Sequence, residues 1–73
     1  MMKITKGMAR KLYNEGAEIM ILPNRVHTNS SLAGWIVKPE NDDVGFEKVC
    51  DAIFYYNCSP ETGMKLAFYA KEI

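Results

Sequence analysis

Large apolar residues at Phe46, Val49, Cys50, Ile53 and Phe54 advance by steps of three, one, three and one, which traces one face of an α-helix. Glu47, Lys48 and Asp51 fall on the opposite face, where their charges stay in water. The stretch 44–57 is therefore the helix around which the rest is expected to pack, with Asp42 or Asp43 as its cap. A second helix is expected from about residue 5 to 15. Thr5 suits its N-cap, Gly16 supplies the left-handed residue that stops it, and Ile4, Met8 and Leu12 share its apolar side, with Ala9 and Tyr13 alongside.

The segment 18–22, closed by Pro23, is a short apolar block that reads as a strand buried on both faces. Residues 24–31 are polar and turn-rich and read as a loop. The run 34–38, ended by Pro39, reads as a second strand, and 40–43 as a solvated turn. After a turn at 58–63, residues 64–71 read as a third strand with Leu66, Phe68 and Ala70 on one side. The alternative places Ser59 as N-cap and Pro60 at the first position of a terminal helix. A related alternative takes Phe54, Tyr55 and Tyr56 out of the central helix into a hairpin. The order α-β-β-α-β predicts one small α+β domain over residues 1–73, with two helices covering one face of a three-stranded sheet.

Composition narrows the function more than it names it. A chain of 73 residues buries only about 60% of its unfolded surface. A partner covering part of the surface, a second copy of the chain included, would raise that margin. Nine basic and nine acidic residues balance. Residues 1–38 nevertheless hold six Lys or Arg against two Glu, or +4, and the remainder three against seven, or −4. The sequence leaves open whether folding mixes or separates these charges. No signal peptide or membrane-length apolar run is present, so a cytoplasmic protein with reduced cysteines is expected.

Metal chemistry has few ligands to work with: Cys50, Cys58 and His27. On a continuous helix the two cysteines stand about 12 Å apart, too far for one ion or a disulfide. Cys58 with His27, oriented by Asp51 or Asn57, is the one nucleophile–base pair on offer. A lone loop histidine and so short a chain argue against it. No glycine-rich phosphate loop or calcium loop occurs. The chain is read as non-enzymatic, without cofactor or metal.

Two kinds of partner remain. Lys6, Arg10 and Lys11 on the first helix, with Arg25 and Lys3, could neutralise phosphates, and Tyr13, Trp35 or Tyr55 could stack on bases. Zero net charge weighs against a dedicated nucleic-acid binder. Basic residues in a first helical turn oppose the helix dipole, a small cost that hints at a partner for Lys6 and Arg10. For a protein partner, four Tyr, three Phe and one Trp exceed what so small a core hides. Tyr55, Tyr56 and Tyr69 are the expected exposed aromatics. An edge strand offers a further pairing surface.

The run Ile4-Thr-Lys-Gly-Met-Ala-Arg-Lys-Leu-Tyr-Asn-Glu-Gly16, followed by Ile21-Leu-Pro-Asn-Arg25, resembles a group of small accessory proteins of Gram-positive conjugative transposons and prophages. Tyr55-Tyr-Asn-Cys58 with Glu61, Gly63 and Phe68-Tyr69 shares the resemblance, and 26–45 carries less of it. The group has no established activity, so the resemblance implies no site residue. It implies a bacterial cytoplasm, mobile-element biology and action through binding host or element proteins. The expectation is a protein-binding or regulatory module, with weak nucleic-acid binding through the basic helix as the alternative.

Overall fold

The computed structural model describes residues 1–26, 28–30, 33–41, 45–57 and 65–71, with 56 and 57 as backbone alone. Six elements follow in order: β1 (Met2–Ile4), α1 (Lys6–Asn14), β2 (Ile19–Pro23), β3 (Trp35–Ile36), α2 (Gly45–Asn57) and β4 (Leu66–Ala70). The α+β class with two helices is as expected. The sheet has four strands rather than three, and the order is β-α-β-β-α-β. The additional strand, β1, is three residues long. Its reason for being a strand is remote in sequence: Met2, Lys3 and Ile4 pair with Ala70, Tyr69 and Phe68.

The sheet is antiparallel throughout, in the order β1-β4-β2-β3. β1 and β2 run parallel with β4 between them, joined by α1. β3 and β4 run parallel with β2 between them, joined by α2. The chain is thus two interlocked split β-α-β units. The five pairs of β2 with β4, from Ile19↔Ala70 to Pro23↔Leu66, form the longest ladder. The Asn24 N–H extends it by donating to the Lys65 carbonyl at 2.7 Å.

Both helices lie on one side of the sheet, where Ala9, Tyr13, Ile19, Ile21, Phe46, Cys50 and Phe68 form the core. Rings hold the layers together. Tyr13 of α1 and Phe46 of α2 have centroids 5.7 Å apart, and Phe46 and Phe68 of β4 lie 6.0 Å apart. Such tilted pairs add about 0.5–1.5 kcal/mol beyond the area they bury. The central helix behaves as its spacing predicts, with Phe46 and Cys50 buried and Val49 and Ile53 packed beside them. It continues to Asn57, so Phe54 to Tyr56 stay helical and the hairpin alternative fails. β4 excludes the terminal-helix alternative over Leu66–Ala70, and Phe68 and Leu66 face the helices as expected. All five residues of β2 are buried, as its unbroken apolar run predicts.

α1 is capped at both ends as the sequence indicates. Thr5 is extended and its hydroxyl accepts from the Met8 N–H at 3.2 Å. At the other end Gly16 has φ +82°. The Gly16 N–H donates to the Tyr13 carbonyl and the Ala17 N–H to the Leu12 carbonyl, the paired bonds of a Schellman motif. The buried side of α1 differs from expectation. Ala9 and Tyr13, four residues apart, are fully buried, Leu12 is half-buried and Met8 is exposed. The sheet beneath α1 ends at the short β1, and Met8 overhangs that edge.

The two glycines flanking this account separate backbone strain from helix propensity. Neither Gly7 nor Gly16 has a neighbouring atom that an added methyl group would strike. Gly16→Ala is expected to destabilise by about 1–2 kcal/mol, because only its positive φ is penalised. Gly7→Ala, inside α1, is expected to stabilise by about 0.5–1 kcal/mol. Urea unfolding of the two variants checks the opposite signs.

Candidate functional site

The basic residues proposed from the sequence do not form a free patch. Glu47, in the first turn of α2, bridges to α1: the Arg10 Nε donates to its Oε1 at 2.9 Å, Arg10 Nη2 contacts the same oxygen, and Lys6 Nζ lies 3.1 Å from Oε2. The Arg10 guanidinium also sits 5.9 Å from the Phe46 ring centroid, a cation–π contact. The cations that oppose the dipole of α1 thus have an acidic partner within the protein. Charge from the basic half is here mixed with charge from the acidic half. Lys11, in the last turn of α1, sits where the helix dipole favours it. Among the described residues no acidic side chain pairs with Lys11 or with Arg25, which is exposed in the turn after β2.

The tyrosines do not share a surface either. Tyr55 is 79% exposed on α2, on the helical side of the molecule. Tyr69 alternates with Phe68 and therefore points from the opposite side of the sheet, where it is half-buried. In that row Tyr69 lies between Lys3 of β1 and Met20 of β2, and Met20 is followed by Trp35 of β3. Lys71 places its ammonium 5.1 Å from the Trp35 ring centroid and pairs with Glu18. The side chain of Tyr56 lies outside the described residues, as do His27 and Cys58, so the thiol–imidazole pair has no geometry to report. Cys50 is a buried free thiol whose pKa is pushed up to about 11, chiefly by burial. That marks it as a small core residue rather than a thiolate. Among the described residues no three His, Cys, Asp or Glu side chains gather as a metal site would require, and no helix is long and apolar enough to cross a membrane.

The most prominent surface feature has no counterpart among the expectations from the sequence. A groove of about 900 Å³ runs between α1 and the edge strand β1. Met2, Ile4, Met8, Leu12, Ala17 and Ala70 supply its apolar lining, and Lys3, Glu18 and Lys71 stand at its rim. Met2 and Met8 are 51% and 46% exposed, so methionine side chains, which adapt to irregular partners, form its walls. The groove exists because β1 is short and terminal in the sheet, leaving α1 wider than the surface it covers. A second hollow of about 460 Å³ lies between β1, β4 and α2, also on the helical side. Lys3, Lys6 and Lys65 surround it with Asp51, over a floor that includes Ile4, Phe54 and Leu66. Both hollows border β1, and its outer edge has no neighbouring strand among the described residues. A sequence signal existed in Met2, Ile4, Met8 and Leu12, of which Ile4 and Leu12 sit at the margin of the core and the two methionines stay exposed. It reads as a helix face until β1 is recognised as a strand.

No family model, curated protein or solved structure matches the chain. The groove and the edge strand therefore carry the functional reading by themselves.

The Glu47 bridge has a pH signature. The hydrogen bond from Arg10, then that from Lys6, holds the Glu47 carboxyl below its ordinary value of 4.5. A carboxylate with a lowered folded pKa contributes stability that is complete above the unfolded value and is lost as pH falls through the folded one. Glu47→Gln is expected to lower the urea midpoint at pH 7, by less as salt is added. The gap from wild type is expected to close as pH drops below 4.5. Paired urea titrations from pH 7 to pH 3 measure this.

Proposed function

We propose that the protein is a non-enzymatic binding module that receives a segment of another protein in the groove between α1 and β1. The observation that carries this reading is the apolar groove beside a strand edge that is unpaired among the described residues, with two half-exposed methionines as its walls. Apolar surface of this kind, rimmed by charge, favours a partner because burying it gains roughly 25 cal/mol per Å². Occupation of Lys6 and Arg10 by Glu47 takes weight from the nucleic-acid alternative, since a phosphate would have to displace a carboxylate held by both cations. In the setting that the resemblance implies, a bacterial cytoplasm with mobile elements, such a module acts as a regulator or blocker of a host or element protein.

Capture of partners from a bacterial lysate by the tagged protein, after nuclease treatment, tests the proposal. A stoichiometric protein is expected that is lost with Met8→Asp and with Met2→Asp and retained with Lys11→Glu. Both methionines are exposed enough that the melting temperature of these variants should stay close to wild type. Capture that survives both methionine substitutions, or that disappears with nuclease or Lys11→Glu, would remove the groove from the function.

A further inference from the structure

We infer that the partner binds as an added β-strand on the outer edge of β1, and that its sequence alternates apolar residues with an acidic residue facing Lys3. This inference rests on the groove reading above and specifies the chemistry of the occupant. Among the described residues β1 pairs along one edge only, with β4, and backbone N–H and C=O groups on a free edge are a template for another extended chain. Side chains of an added strand alternate between the two sides of the sheet. On the helical side, the residues flanking the centre of β1 are Met2 and Ile4, and both open into the apolar groove. On the other side the centre of β1 is Lys3, which is exposed and has no acidic partner among the described residues.

A strand laid along β1 therefore meets an apolar pocket, a lysine and an apolar pocket in succession. The complementary pattern is apolar, acidic, apolar. An acidic residue directly across from Lys3 gains a cross-strand ion pair, and a basic residue there is repelled. Of the other charges near β1, Lys6 is held by Glu47 and Glu18 by Lys71, and Lys65 at the hollow beside it stands against Asp51, which leaves Lys3 as the charge an added strand meets. A second copy of the chain fits this edge poorly. Twofold antiparallel pairing that uses all three residues of β1 sets Lys3 opposite Lys3.

The test uses the full chain labelled at its methionine methyl groups and two blocked heptapeptides, one alternating Val with Glu and the other Val with Lys. Each peptide is titrated to millimolar concentration by NMR, with the Met2 and Met8 methyl signals as the readout. The Val/Glu peptide is expected to shift both signals and to bind about fivefold more tightly than the Val/Lys peptide. Lys3→Glu is expected to reverse that preference, and Lys3→Gln to fall between. N-methylation of the Val/Glu peptide at its Val residues or at its Glu residues removes alternate amides. One of the two versions is expected to lose binding and the other to keep it, because a strand offers one edge at a time. Equal binding of both charges with both N-methylated forms active overturns strand addition while leaving the groove in use. No shift of either methyl group also overturns it, and the groove reading itself then stands or falls on the Met8→Asp capture. Shifts of Met2 and Met8 on dilution of the protein without peptide would overturn it in favour of a second copy.

Discussion

The fold depends on one ring. Phe46 stands between Tyr13 of α1 and Phe68 of β4, and the guanidinium of Arg10 lies on it as well. Each helix has a single buried face, and these faces meet at Phe46 rather than only at the sheet. Removing such a ring leaves a cavity that costs about 3–5 kcal/mol. A domain of this size has a total stability on the order of 4–11 kcal/mol, so one side chain holds a large share of it. Glu47, the next residue, turns the same contact into a charged one by gripping Lys6 and Arg10. Packing and ion pairing thus fix the angle between α1 and α2 at a single place.

Local signals were read well wherever the interaction they report is local. The spacing of Phe46, Cys50 and Ile53, the cap at Thr5, the left-handed Gly16 and the closed apolar block ending at Pro23 all act within a few residues, and all appear as anticipated. β1 is different. Met2, Lys3 and Ile4 are too few to show a period of two, and their partners lie more than sixty residues away, as Met2↔Ala70 shows. With β1 unrecognised, Ile4, Met8 and Leu12 read as one helical face.

The candidate site was hidden for the same reason. The surplus of aromatics points to Tyr55 and Tyr69, which the sheet separates onto opposite sides. Counting cations drew attention to Lys6 and Arg10, whose partner Glu47 comes from the other half of the chain. The groove depends on the width of a helix compared with the sheet below it. That relation belongs to the assembled layers, and no stretch of the sequence records it.

The place of β4 in the sheet also sets an order of events. β1 and β2 are not neighbours in the sheet; each reaches the other through β4, which follows the other described elements. During synthesis, α1 and β2 leave the ribosome with no strand to join β2 to β1, and a large loop must close before the sheet exists. Closing such loops is what slows folding in topologies of this kind. Until residues 66–70 arrive, the edge of β2 that β4 will occupy stays unpaired. β4 is the keystone of the sheet, and the strands on its two sides join only once it has been made.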